Sequence, residues 1–345
     1  MEIKRYKVSV IIPIYGVEKY IKRCAHSLFK QTLEDIEYIF VNDCTKDNSI
    51  KLLQEVINNY PQRKNNIKLI KTPRNNGLPQ ARKFGLSYAT GDYIIHCDSD
   101  DWIEFDMYEV LYTKAIQDNL DIVTCDFYLS NSYTNLPIPC EGNFKSNKEY
   151  LSDIISQKIS NAVWNKLVKR TLYNNPLIHP IQNMGEDLIL NVQIILYANK
   201  IGHVSKPLYH YFHNPTSITN KKSKQDTIKK WEGINENIQL LENILKEKKI
   251  LNCYKKEIIT LKENCRKFIL KPLIYKSEIR NLWLNSFPDI NLSLSNSIKN
   301  NIMYTLIYFR IYPLLMNLNQ IRKRIIDIFS NIFCILFIQM LNIVS

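Results

Sequence analysis

Three aspartates lie within four residues in the run Cys97-Asp98-Ser99-Asp100-Asp101. Ionised carboxylates this close repel one another unless a cation or donated hydrogen bonds compensate. Oxygen-only ligands of this kind suit a hard divalent ion, Mn2+ or Mg2+, that shares its shell with substrate phosphates. Taken alone, the run reads equally well as an acidic turn in which Asp101 caps a helix. A second polar cluster, Asn42-Asp43-Cys44-Thr45-Lys46-Asp47-Asn48-Ser49, offers Asp43 as an acceptor for a base or ribose, ahead of a helix start with free N–H groups. A capped β–α turn has the same composition. The third cluster is Arg74-Asn75-Asn76-Gly77-Leu78, with Ala81-Arg82-Lys83 one turn later. Gly77 admits positive φ or a close backbone approach. Arg82 presents a planar donor fork suited to a phosphate, or else belongs to a solvated basic helix face.

Each cluster follows a predicted strand. Residues 8–12 form a β-rich run ended by Pro13, after which Val17, Ile21, Cys24 and Leu28 recur at helical spacing. Further strands are predicted at 36–41, 67–70, 93–97 and 122–125. Helices are predicted from Asp47 or Asn48 onward and over 78–88 and 107–116. This alternation predicts an α/β fold with a mainly parallel central sheet covered on both faces. Ligands in such sheets bind beyond the carboxyl ends of the strands, where all three clusters sit. Residues 126–150 read as a loop-rich insertion, and 151–213 as ordered, polar and aromatic-rich. From residue 228 to about 270 the pattern is that of basic amphipathic helices, with Trp231, Ile234, Ile238, Leu241 and Leu245 at helical spacing.

A hydrophobic fraction of 45% excludes a disordered chain. The eight cysteines include no Cys-x-x-Cys pair, which excludes a zinc ribbon or a thioredoxin-like site. With no signal-peptide pattern, a reducing cytosol is expected. The net charge of +13 is concentrated in residues 221–345, which hold 21 Lys and Arg against 10 Asp and Glu. Basic helices permit nucleic-acid binding. Acidic clusters at the strand ends would repel a phosphate backbone, so no nucleic acid is expected as partner. A nucleotidyltransferase would carry a Gly-rich basic loop after the first strand, where this chain has Pro13-Ile14-Tyr15-Gly16.

The series Val10-Ile11-Ile12-Pro13-Ile14-Tyr15, the Asn42 to Ser49 cluster after Val41, Asn76-Gly77-Leu78 with Ala81-Arg82, and Asp98-Ser99-Asp100-Asp101 resembles glycosyltransferase family 2. Trp164-Asn165-Lys166-Leu167, Gly185-Glu186-Asp187 and residues 209–218 extend the likeness over residues 7–218. The resemblance implies a GT-A nucleotide-diphospho-sugar transferase fold with a helical C-terminal extension. It implies a nucleotide-sugar site of Pro13, Tyr15, Asp43, Asn76, Arg82, Asp98 and Ser99. In it Pro13 and Tyr15 form the floor, Asp43 meets the nucleobase (uracil in most members, hence a UDP-sugar donor), and Asp98 meets the ribose. Asp100 would ligate Mn2+ or Mg2+ at the diphosphate. Asp187 would be the catalytic aspartate that deprotonates the acceptor hydroxyl in an inverting transfer. Glu186 and Trp164 fall on the acceptor side, although Trp164 reads as a core residue equally well. His213 stands where relatives often place Arg, as a phosphate contact, a metal ligand or a surface histidine. Asn42 replaces a frequent aspartate.

The implied function is cell-surface polysaccharide or lipid-linked glycan synthesis on a glycan or lipid-linked acceptor. A non-catalytic nucleotide-sugar-binding scaffold is the competing class, against which the joint presence of Asp43, Asp98, Asp100 and Asp187 argues. The expected division is a catalytic domain at 1–220, a basic helical region at 221–300 and an apolar, basic tail at 301–345. Residues 325–344 are apolar but contain Asp327, Asn331, Gln339 and Asn342, too polar for a comfortable membrane span. An interfacial helix on an anionic membrane surface, helped by Arg322-Lys323-Arg324, fits the pattern; so does a cap packed on the domain or an oligomer contact. The expected location is cytoplasmic, peripheral at the inner face of the cell membrane.

Overall fold

Val8, Val10, Ile12 and Ile14 of strand β1 (Val8–Ile14) join one core cluster and Ile11 joins the other, the alternation a pleated strand imposes. All seven residues of β1 are buried, as expected of a central parallel strand with helices on both faces. The computed structural model of the chain describes residues 5–140, 146–214, 217, 223–269 and 286–287. β2 (Ile36–Asn42) and β4 (Tyr93–His96) flank β1, and β3 (Ile67–Lys71) pairs with β2, all in parallel, in the order β3-β2-β1-β4.

The crossovers are α1 (Ile21–Phe29), α2 (Ser49–Asn58) and α3 (Leu78–Leu86). α1 begins at Ile21 because Val17 lies in a turn, its carbonyl accepting from the N–H groups of Tyr20 and Ile21. α1 and α2 cover the face that carries Val8, Val10 and Ile12. α3 covers the other, where Ala81 packs with Ile11, Ile39, Val41 and Ile94. Close packing there depends on Gly85. A Cβ at that position would stand 2.6 Å from Ile11 Cγ2 and 3.0 Å from Val41 Cγ2. Gly85→Ala is therefore expected to lower the unfolding free energy by about 1–3 kcal/mol, since the extra methyl must displace packed core atoms. Urea denaturation measures it, and an unchanged midpoint would contradict the close approach.

Past β4 the pairing changes sense. β5 (Trp102–Ile103) and α4 (Met107–Gln117) follow, then β6 (Ile122–Ser130) and β7 (Asn135–Ile138), which form a hairpin. α5 (Asn147–Ile155) leads to β8 (Lys166–Lys169), which lies antiparallel to both β4 and β6 and so joins the two halves of the sheet. α6 (Glu186–Tyr197) and β9 (Ile201–Phe212) complete it, β9 running parallel to β6 and antiparallel to β5. The segment expected to be a loop-rich insertion at 126–150 contains the end of β6, all of β7 and the start of α5. Ser146 caps α5 by accepting the N–H of Glu149, a local signal present in the sequence.

α7 (Lys224–Glu247) and α8 (Lys255–Ile269) account for the expected basic helices. The chain divides into two compact units, Met1–Leu261 and Lys262–Ser345. The first includes α7, which packs on α6. In the second, the Arg266 guanidinium donates to the carbonyls of Ser286 and Phe287. The tail expected at 301–345 lies outside the described residues. Among the described residues no helix is long and apolar enough to cross a membrane.

Candidate active site

Because β1, β2, β3 and β4 run in parallel, the loops after them emerge at one edge of the sheet. Asp43, directly after β2, is buried there. Its Oδ1 accepts from Thr72 Oγ1 at 2.8 Å and from the Asn76 N–H at 3.2 Å, and its Oδ2 from the Gly77 N–H at 3.1 Å. The second and third polar clusters are thus one unit. Gly77 has φ +85°, and a Cβ on it would meet Asn183 Oδ1 at 2.7 Å. Asn183 Oδ1 in turn accepts the Leu78 N–H at the start of α3. Asn42, at the frequent aspartate position, holds the turn by accepting the Thr45 N–H. Tyr15 stands 51% exposed beside this loop pair, and Ser99 Oγ donates to the Pro13 carbonyl at 2.6 Å. The Asn76 side chain is exposed and accepts from Arg74 Nε.

The three aspartates after β4 take three different environments. Asp101 turns inward, its Oδ2 accepting from Tyr209 Oη at 2.6 Å and its Oδ1 from the Phe212 N–H at 2.7 Å. Burial, with the charges of Asp100 and Asp98 beside it, pushes its carboxyl well above the usual range. Asp100 stays partly exposed. Its Oδ2 accepts from Asn214 Nδ2 at 2.9 Å, its carbonyl accepts from Arg23 Nη2 at 2.8 Å, and among the described residues its Oδ1 has no hydrogen-bond partner. The Arg23 guanidinium lies 3.8 Å from the Trp102 ring centroid and 4.4 Å from that of Phe212, so flat aromatic faces hold it in place. Asp98 accepts from Arg82 Nη2 at 2.7 Å. Burial raises its carboxyl despite that partner, and Asp100 and Asp187 raise it further.

Arg82 is 2% exposed. Besides Asp98, its Nη1 contacts Glu186 and donates to Asp187 Oδ1 at 2.6 Å. Burial opposes its charge, but Asp187 and Asp98 outweigh that and hold it above its ordinary range. The guanidinium expected to present a fork to a phosphate has both Nη atoms paired with carboxylates. Glu186, expected on the acceptor side, is buried against Arg82. Asp187 is 28% exposed, and among the described residues its Oδ2 has no hydrogen-bond partner.

Trp164 is 5% exposed and stacks on Tyr209 at 4.2 Å and on Tyr211 at 5.7 Å between ring centroids. It belongs to the core, with no free face for a sugar. Its neighbours act likewise. Asn165 Nδ2 donates to the Cys125 carbonyl, and the buried Lys166 Nζ donates to the carbonyls of Ser160 and Ala162 and to Asn165 Oδ1. His213 is exposed, anchored by its N–H to the Ser130 carbonyl, and it is not among the groups that touch Asp100. Asn214, the next residue, holds that contact instead, and Tyr20 Oη donates to its Oδ1. Asn214, Tyr209 and Arg23 escape a reading of the sequence because they reach the aspartates from distant segments. Among the described residues no group of three or more His, Cys, Asp or Glu is placed to hold a metal ion.

Glycosyl transferase family 2 matches residues 9–175, which contain all three strand-end clusters. The cholesterol galactosyltransferase of Borreliella burgdorferi is 31% identical over 255 residues, 67% of this chain and 70% of that protein. This chain belongs to glycosyltransferase family 2. The uncharacterized glycosyltransferase EpsJ of Bacillus subtilis is 34% identical over 222 residues, 61% of this chain and 62% of EpsJ, so the likeness spans less than two thirds of that relative. The fold is that of S. aureus TarS 1-349, solved with UDP-GlcNAc, at a TM-score of 0.62 and 21% identity over 82% of this chain and 80% of that one. The mixed α/β sheet with its helical C-terminal extension is accordingly a GT-A fold.

Proposed function

We propose that this glycosyltransferase moves a sugar from a UDP-sugar to an acceptor hydroxyl with inversion at the anomeric carbon. The observation that carries the reading is the meeting of Asp98 and Asp187 on one guanidinium, although they lie 16 and 105 residues from Arg82 along the chain. That meeting brings the residue expected at the ribose and the residue expected as base to one side chain.

Tyr15 and Pro13 floor the nucleobase, and Asp43, with the loop it organises, receives its edge. Asp98 addresses the ribose, with Ser99 keeping the loop against β1. Asp100 fits a Mn2+ or Mg2+ site. Its carboxylate is oriented by a neutral amide and keeps one oxygen open, and such ions are commonly held by one or two carboxylates plus substrate phosphates. When bound, the ion neutralises the diphosphate and the charge that grows on the departing nucleoside diphosphate. Asp187 Oδ2 takes the acceptor proton as the acceptor oxygen bonds to the anomeric carbon and the bond to the diphosphate breaks. One displacement with one base inverts the centre. TarS carries UDP-GlcNAc in the same fold, which supports a uridine donor. The acceptor is a glycan or lipid-linked hydroxyl, with the basic residues after 221 favouring an anionic membrane face.

The test is a calorimetric panel of UDP-, GDP-, TDP- and CDP-sugars with and without Mn2+. Binding of one UDP-sugar that strengthens at least about tenfold with metal is the expected result, a difference of about 1.4 kcal/mol. Folded protein that binds none of them would be a scaffold without a donor site.

A further inference from the structure

We infer that Arg82 is a positioning residue that yokes the donor side of the site to the catalytic base, and that it makes no contact with the donor phosphates. The inference rests on the assignment of Asp187 as base.

Arg82 projects from α3, and α3 is tied at three successive points to the segment that leads into Asp187. The Leu78 N–H donates to Asn183 Oδ1 at 3.0 Å, Gln80 Nε2 donates to the Pro180 carbonyl at 2.9 Å, and Arg82 Nη1 donates to Asp187 Oδ1 at 2.6 Å. The same helix is preceded directly by Gly77, whose N–H is held by Asp43. Arg82 Nη2 closes the circuit on Asp98. α3 is therefore a strut, touching the expected nucleobase and ribose carboxylates on one side and the base on the other.

The chemistry of the residue favours this role over simple stabilisation. A guanidinium offers five N–H groups in one plane and can bind several carboxylates in fixed directions, which an ammonium cannot. Buried ion pairs are poor sources of stability, because desolvation consumes most of the Coulomb gain. Arg82 also leaves its buried Nε without a hydrogen-bond partner, as do both ring nitrogens of His96, which is 1% exposed at the end of β4. Buried polar atoms left unpaired are costly. The imidazole stays neutral, burial and the Arg82 charge lowering it to about 3. A wall built for stability alone would be apolar here. What the arrangement secures is direction, since with Asp187 Oδ1 held its Oδ2 faces the acceptor.

The test uses the full chain, with Arg82→Lys as the variant that keeps the charge and Asn183→Ala as a milder cut in the same strut. Binding of uridine, and of UDP with Mn2+, is read by calorimetry, UDP release from a UDP-sugar gives turnover, and amide exchange reports residues 98–100 and 186–188. Expected for Arg82→Lys is a fall in kcat of about 10²-fold, the size of a small misplacement of a reacting group. Affinities for uridine and for UDP should fall together and by much less than kcat, because Arg82 acts on the donor only through Asp98. Asn183→Ala should shift kcat in the same direction by a smaller factor. Affinity for UDP that falls in step with turnover while uridine affinity is kept would make Arg82 a phosphate ligand and overturn the yoke. Wild-type protein that consumes no nucleotide sugar would sink the transferase assignment instead. The exchange readout then decides: faster exchange at both segments in Arg82→Lys upholds the link between them, and unchanged exchange at both overturns it.

Discussion

Asp187→Asn is expected to lower sugar transfer by about 10²–10⁴-fold, the usual contribution of a positioned general base. Asparagine keeps the shape of the side chain and an oxygen that accepts from Arg82, so α6 retains its anchor. It loses the capacity to take a proton. Donor binding does not involve that proton, so UDP affinity measured by calorimetry should stay within about threefold. Rapid-quench transfer assays at saturating donor read the chemical step. A parallel loss of UDP affinity would place Asp187 in the donor site and dissolve the division of labour between the two sides of Arg82.

Asp100→Ala is expected to abolish the strengthening of UDP binding by Mn2+. The whole metal-dependent gain, about tenfold or more in affinity, should vanish with the carboxylate that would hold the ion. Metal-free binding of UDP should be nearly unchanged, because Asp43, Tyr15 and Pro13 remain. The loop itself should hold, since Arg23 grips the backbone carbonyl at position 100 and Tyr209 still anchors Asp101. Titration of UDP with and without Mn2+ into both proteins separates the contributions. If metal still tightens UDP binding to the variant, Asp100 is no ligand, and the neighbouring Asp98 becomes the residue to replace. The two substitutions should therefore divide the site: one removes chemistry and spares donor binding, the other removes the metal-dependent part of binding.

The parallel half of the molecule was legible because its signals are local. A β-rich run followed within a few residues by a polar cluster carries its own evidence, and β1 to β4 and α3 lie where those runs predict. The antiparallel half was harder to read. β5 has only two residues, and β8 has just two apolar residues between two lysines. Its direction comes from pairing on both sides with distant strands, which no window of sequence contains. The hairpin partner β7, mostly exposed and polar at its start, reads as loop for the same reason: only its pairing with β6 makes it a strand.

Sequence alone determined the order of the chemistry along the chain, the strand ends that carry it, and the family, since these depend on residue type and short spacing. Tertiary structure decided which carboxylate faces what. Asp98, Asp100 and Asp101 are chemically the same group, yet one meets Arg82, one meets Asn214 and one is buried against Tyr209. Arg82 gathers three carboxylates, and Trp164, open in the sequence between sugar platform and core, lies in the core. The physical reason is common to all of them. The environment of a charge or a ring is set by groups that arrive from segments more than a hundred residues away in several cases, and only the folded chain brings those groups within hydrogen-bonding distance.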